Sequence, residues 1–160
     1  MSAQGYRLKF TRAMWLRLWR RPRAEKWLAV QALVLCLLSV IALHVIGFGR
    51  WKRILWACFG GRNLGPTTSS HGDASTARVY ASVVDMVARN TPWGLVTCLP
   101  RSLTLWYLLR RRGVESELHI GVRREGTRIV AHAWVVCHGA VAGETDHGQY
   151  VSFESTAPAT

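Results

Sequence analysis

An uncharged, apolar run of 22 residues, Trp27–Phe48, constrains the fold of this 160-residue chain more than any other feature. At about 1.5 Å of rise per residue, a helix of that length matches the hydrocarbon thickness of a bilayer. Three polar residues, Gln31, Ser39 and His44, interrupt the run, and no small-residue cleavage site typical of a signal peptide follows it. We therefore expect a helix buried against its own domain or a partner, with membrane insertion or surface attachment as the alternative.

Positive charge is concentrated at the N-terminus. The chain has a formal net charge of +12, and eight Lys or Arg residues against one Glu lie within residues 1–26. Basic residues flank the apolar run on both sides, so the positive-inside rule gives no orientation. Such a segment suits anionic lipid, an acidic peptide or nucleic acid. No aromatic-interleaved nucleic-acid motif follows it, and we expect no nucleic acid among the partners.

Helical patterns fill the first two thirds of the chain. A basic-aromatic helix is predicted over residues 50–59, and the Gly-, Ser- and Thr-rich stretch over residues 61–73 is typical of a loop. Apolar residues at helical spacing predict a helix over residues 74–90. The next helix starts around residues 97–100, where Pro is tolerated in a first turn, and stops at Gly113.

Strand patterns follow the helices. Residues 117–123 and 128–138 are predicted strands joined by a turn, and residues 149–154 form a further extended piece. Helices followed by an antiparallel sheet indicate an α+β fold. We expect four segments: a basic segment (1–26), apolar and basic-aromatic helices (27–60), a loop (61–73) and a catalytic domain (74–156).

The chain has four cysteines with no CxxC pair and no zinc-finger spacing: Cys36, Cys58, Cys98 and Cys137. We see no disulfide framework in them, which favours a reducing, cytoplasmic compartment, with membrane association through the apolar run as the alternative.

Cys98 lies at the mouth of a predicted helix. The free N–H groups and the positive dipole end there favour negative charge and can hold an oxyanion. A thiol nucleophile also needs a base within hydrogen-bond reach, and His132, inside a predicted strand, can supply it. Each residue alone also fits a structural role, as a half-buried thiol or a core imidazole.

Side chains alternate between the two faces of a strand, and this alternation reduces the candidates for the nucleophile and for a metal site. His132 and Trp134 share one face of the predicted strand, and Cys137 lies on the other, which makes Cys137 a poor nucleophile. His138 shares the face of His132 but lies ~20 Å away in a regular strand. We therefore expect no metal site in this run and no cofactor.

Two acids downstream of the strand, Glu144 and Asp146, could orient the imidazole of His132. Each also fits a solvated loop carboxylate, and Asp85 is the next candidate if neither serves.

Residues 98–144 resemble the transglutaminase-like leader peptidase of lasso-peptide biosynthesis, the B protein. The matching features are Cys98, Arg101-Ser102, Arg112-Gly113, Gly121-Val122 and the Ala131–Val135 motif AHAWV. The resemblance implies a transglutaminase-like, papain-related cysteine protease domain with an N-terminal helical segment. It implies a triad of Cys98, His132 and an acid at Glu144, where the family usually has Asp, with Asp146 as the alternative. We expect Arg101, Ser102 and Trp134 to contact substrate.

The same resemblance implies a role and partners. Such an enzyme removes the leader from a ribosomally made precursor before macrolactam cyclisation. We expect a separate leader-recognition protein, since no winged-helix domain fits before Trp27, together with the precursor and a macrolactam synthetase. Two other functions remain as alternatives: a non-catalytic membrane-associated scaffold, and acyl transfer to an amine by the same triad.

Overall fold

The computed structural model describes residues 22–58, 70–91, 95–143 and 151–155. Within these ranges, helices come first and an antiparallel sheet follows. The helices are α1 (Arg23–Val45), α2 (Phe48–Ala57), α3 (Ser70–Asn90) and α4 (Cys98–Arg111), and the strands are β1 (Glu117–Glu125), β2 (Arg128–Cys137), β3 (Ala140–Val141) and β4 (Val151–Ser155). The mixed helix and sheet composition agrees with the α+β prediction.

The sheet has the strand order β3-β2-β1-β4. Strands β1 and β2 form a regular hairpin whose turn contains Gly126 at φ 59°. Strand β4 pairs with the other edge of β1, with a register shift between Ile120 and Gly121. The short β3 pairs only with Val136 and Cys137 at the end of β2. Ahead of Val135, no described strand pairs with the outer edge of β2.

Helix α4 lies at the centre of the core. Three of its large side chains, Leu103, Trp106 and Leu109, are fully buried. The sheet contributes Leu118, Val135 and Cys137 to the same cluster, and helices α1 and α3 contribute residues such as Ala32 and Val84. Val135 and Cys137 both face the helices, as the predicted alternation of side chains along the strand requires.

The apolar run forms α1, which ends before the expected residue 48. Gly47 has φ 79°, a conformation that favours glycine, and α2 begins at Phe48. On one side of α1, small residues such as Ala32, Cys36 and Ser39 are buried, and the indole N–H of Trp51 donates to Ser39 Oγ at 3.2 Å. Large apolar residues on the opposite side are exposed, so the expected burial applies to one face only.

Among the described residues, α1 is the one helix long and apolar enough to cross a membrane. Length and composition do not distinguish a membrane helix from a core helix, and 33% of its most apolar stretch is buried inside the protein.

Most predicted element boundaries agree with the structure to within a few residues. Helix α4 begins at Cys98, and Gly113 at φ 85° follows its end as a C-terminal cap, with its N–H bonded to the Arg110 carbonyl at 3.0 Å. Helix α3 begins at Ser70, four residues before the predicted start, and β3 was not predicted. The basic segment up to residue 21 and most of the predicted loop lie outside the described residues. The division into four segments stays a prediction.

Candidate active site

Cys98 is the first residue of α4 and is half-buried. Thr97, in the N-cap position, has an extended backbone and makes no side-chain capping bond to the helix. The N–H groups of Cys98 and Leu99 therefore donate no bond to the Thr97 side chain, and amides at a helix N-terminus can hold a developing oxyanion. Pro100 has no N–H, and the Arg101 N–H donates to the Thr97 carbonyl at 3.3 Å.

Ser102 joins the mouth of α4 to β2. It lies one helical turn after Cys98, on the same side of the helix, and its hydroxyl donates to the carbonyl of Ala133 at 2.7 Å. The Ser102 side chain is 2% exposed, so this bond forms in the interior. Ala133 follows His132 directly, and the bond therefore fixes the first turns of α4 beside the strand that carries His132. The His132 side chain itself lies on the face of β2 opposite the helix-facing Val135 and Cys137.

The direction of the carbonyl groups explains why Ser102 can reach β2. The Val135 carbonyl accepts from the Ala142 N–H at 2.9 Å, on the side of β3. Residues two apart in a strand direct their carbonyls to the same edge, so the Ala133 carbonyl also faces away from β1. Because β3 has already ended there, the Ser102 hydroxyl replaces the missing ladder partner.

His132 lies on β2 opposite Gly121 of β1 and is half-buried. The Trp134 ring stacks on the His132 imidazole with centroids 6.2 Å apart and planes 16° from parallel. Trp134 also stacks on His119, with centroids 5.8 Å apart and planes 17° from parallel. His119 in turn contacts a carboxylate oxygen of Glu117 at 3.1 Å.

Gly121 leaves the space that this stack needs. A Cβ at position 121 would lie 2.8 Å from Cη2 of Trp134 and 2.6 Å from the carbonyl oxygen of Val151. Real Cβ atoms do not approach other atoms so closely. The Trp134 indole and β4 can therefore both pack this close to β1 only because residue 121 is a glycine. This close approach gives a physical reason for the glycine in the Gly121-Val122 pair.

Two of the other cysteines are poorly suited to nucleophilic chemistry. Burial raises the pKa of the Cys36 thiol, and the Thr104 side chain and the positive charge of Arg101 offset part of that rise. Burial, with a smaller contribution from the Asp73 carboxylate, raises the pKa of Cys137 to about 11. The reactive form is the thiolate, so both thiols are inert near neutral pH.

Cys58 is exposed at the C-cap of α2, where the helix presents carbonyl groups. Carbonyl groups cannot stabilise an oxyanion. Cys98 is therefore the cysteine whose surroundings best suit a nucleophile.

The two candidates for the third triad position, Glu144 and Asp146, lie outside the described residues. Gly143, just before them, rests on α3, and a Cβ there would lie 2.7 Å from Ala81 Cβ. The last described residue before Glu144 and Asp146 therefore lies next to α3. The assignment of the acid stays a prediction.

Asp85, the reserve candidate, holds α3 to α4. Its carboxylate contacts Arg101 Nε at 3.2 Å and Arg89 at 3.7 Å, and its side chain is 17% exposed. The role of Asp85 as the orienting acid stays a prediction.

The predicted substrate-contact residues occupy three different environments. Arg101 is 20% exposed and paired with Asp85, and Ser102 is buried and bonded to Ala133. Trp134 is 7% exposed and stacks with two imidazoles. These contacts give each residue a structural role. Their contact with substrate stays a prediction.

His138 adopts φ 48° just after β2 ends, and its Nε2 lies 3.3 Å from a carboxylate oxygen of Asp73 on α3. Within the described ranges, no three His, Cys, Asp or Glu residues come together as metal ligands.

The sequence interpretation did not single out His119 or Glu117. Their spacing with Gly121 at alternate positions of β1 places all three on the face that pairs with Trp134 and His132. Applying the period of two to both strands of the hairpin would have identified these residues.

A family model described as the transglutaminase-like superfamily matches residues 42–156. The chain belongs to the transglutaminase-like superfamily. Members of this superfamily are typically cysteine-based enzymes, including proteases and acyltransferases. No curated protein and no solved structure is significantly similar to the chain. The superfamily match covers the whole hairpin, α3 and α4, so it includes both Cys98 and His132.

Proposed function

We propose that the protein is a cysteine peptidase that removes the leader from a lasso-peptide precursor before macrolactam cyclisation. The observation that best supports this proposal is the Ser102–Ala133 hydrogen bond, which holds the helix mouth of Cys98 beside the strand of His132. The superfamily match supports cysteine chemistry. The AHAWV motif and the Cys98 segment support the lasso-peptide assignment by resemblance.

In the proposed mechanism, His132 takes the proton of the Cys98 thiol and Glu144, or Asp146 in its place, stabilises the imidazolium. The thiolate attacks the carbonyl carbon at the leader–core junction, and N–H groups of the first turn of α4 hold the oxyanion. His132 then protonates the leaving amine, which becomes the free N-terminus of the core. Water attacks the thioester and releases the leader as a carboxylate.

Trp134 has a positioning role in this scheme. Its ring stacks with both His119 and His132, so it limits the orientations of the His132 imidazole. A general base must keep its acceptor nitrogen aimed at the thiol, and stacking restricts the ring rotation that would turn it away.

The proposed partners follow from the substrate. The precursor leader is held by a separate recognition protein, and the macrolactam synthetase consumes the new amine. The same triad could instead transfer the acyl group to an amine. A product that has gained one water indicates hydrolysis, whereas a crosslink that has lost ammonia indicates acyl transfer.

Leader removal from a precursor, in the presence of the recognition protein, tests the proposal by mass spectrometry. Cys98→Ala and His132→Ala should each abolish the cut while thermal unfolding stays cooperative. Cys58→Ala, which removes an exposed thiol, is the matched control and should cut normally. Full activity of Cys98→Ala would refute the proposal, and intact peptide maturation in vivo with this variant would favour the scaffold alternative.

Glu144→Gln and Asp146→Asn should be compared separately in the same assay. The variant with the larger fall in kcat identifies the orienting acid. If both cut normally, the acid lies elsewhere.

A further inference from the structure

Helix α1 has two apolar faces, and the described part of the chain covers only one of them. The uncovered side, which we name the outer face of α1, carries eight large apolar side chains that are 38–75% exposed: Trp27, Val30, Leu33, Val34, Leu37, Leu38, Ile41 and Val45. At 3.6 residues per turn they form one continuous stripe about 140° wide. On the surface of a soluble protein, exposed large apolar residues normally occur singly. A continuous stripe of this size therefore indicates a surface that binds an apolar partner.

The opposite side of α1, which we name its inner face, packs against the rest of the domain. Ala32 and Cys36 are 0% exposed, and Ser39 accepts the indole N–H of Trp51. This face packs on α3 and α4, which bear the Asp85–Arg101 ion pair and end in basic residues. Those helices cannot follow α1 into hydrocarbon, because buried charges there are strongly disfavoured. A helix that keeps its inner face packed can contact a bilayer only by lying along its surface.

Charges at the two ends of α1 complement an anionic surface. Arg23 and Lys26 lie in its first turn, and Arg50 and Arg53 lie on α2 just beyond its C-terminal end. Between Lys26 and Arg50 there is no formal charge. Trp27, 65% exposed, stands next to the first pair, and Trp side chains favour the boundary between headgroups and acyl chains.

We infer that the protein docks on an anionic phospholipid membrane through the outer face of α1, with the helix axis parallel to the surface. The aliphatic side chains enter the boundary between headgroups and acyl chains, and the flanking cations contact lipid phosphates. A lipid surface explains the stripe better than a protein groove does. Apart from the exposed His44, the outer face is apolar, and it has basic residues at both ends. Glu25, the acid in the first turn, lies on the opposite side of α1, whereas protein interfaces have a polar rim of both signs. This inference is independent of the proposed peptidase activity.

Flotation of the full chain with vesicles tests the docking. We expect binding to vesicles of phosphatidylcholine mixed with phosphatidylglycerol, and much weaker binding to phosphatidylcholine alone. Val34→Gln combined with Ile41→Gln should lower the partition coefficient at least about tenfold. Arg50→Gln combined with Arg53→Gln should lower it roughly fivefold for each cation removed, and only on anionic vesicles.

Ile129→Gln is the matched control, since Ile129 is 75% exposed on β2 and lies outside the outer face of α1. It should bind as the unmodified chain does. All of these positions are exposed, so circular dichroism should show folded variants with the same thermal midpoint.

Three outcomes would overturn the inference. The first is no binding to anionic vesicles. The second is resistance to carbonate extraction with a tag at one end of the chain digested only from the far side of the bilayer, which would mean that α1 spans the membrane. The third is a dimer in solution that the Val34→Gln and Ile41→Gln pair disrupts while vesicle binding is absent, which would assign the outer face to a second copy of the chain.

Discussion

Replacing Ser102 with Ala removes the hydroxyl that joins the mouth of α4 to β2. The Ala133 carbonyl then stays in the interior without its 2.7 Å donor, and the hydroxyl is too well buried for water to replace it easily. Leaving a buried acceptor unpaired costs about 1–3 kcal/mol, so we expect the free energy of unfolding to fall by about 2 kcal/mol. For a chain of this length that corresponds to a fall of ~4–8 °C in Tm.

Ser102→Ala should also slow catalysis in the fully folded variant. The bond sets the position of the Cys98 turn relative to the His132 strand, and small misplacements of reacting groups reduce rates by up to about 10²-fold. We expect kcat for leader removal to fall by roughly one to two orders of magnitude at a temperature where the variant is fully folded. KM should change little, because the hydroxyl is buried away from solvent.

Ser116→Ala is the matched control for this prediction. Ser116 is as deeply buried as Ser102, but its hydroxyl makes only a long, local bond to the Val114 carbonyl at 3.4 Å. Urea unfolding and single-turnover cleavage should be measured on both variants. If Ser102→Ala matches Ser116→Ala in stability and in kcat, the Ser102 bond does not hold the site together and the reasoning is refuted.

Two further predictions concern the sheet. Gly121→Ala should lower the free energy of unfolding by about 1–3 kcal/mol in urea denaturation, because its Cβ would collide with Trp134 and with the backbone of Val151; unchanged stability would show that the indole does not close over β1. The folded pKa of Cys137, about 11, lies above its ordinary 9.0, so between these values only the unfolded chain loses the proton and stability falls as pH rises. The fall in the free energy of unfolding should approach about 2–3 kcal/mol, and Cys137→Ala should not show it. An equal fall in that variant would contradict its assignment to Cys137.

Local sequence signals were sufficient for several elements. The start of α4 at Cys98 followed from Pro100 in a first turn, and its end followed from Gly113. The hairpin followed from two alternating runs around Gly126. The end of α1 was missed because the apolar run continues past the break, and only the positive φ of Gly47 marks it.

The sequence by itself determined which residues could carry chemistry. Helix signals placed Cys98 at an N-terminus, and the period of two placed Cys137 on the side of β2 opposite His132, because both properties depend on neighbours in the chain. The tertiary structure alone decided how those residues are held. Ser102 meets Ala133 and Trp134 stacks on His119 only after distant segments pack, and the same packing leaves one apolar face of α1 uncovered. Such contacts depend on how elements dock, which local periodicity does not encode.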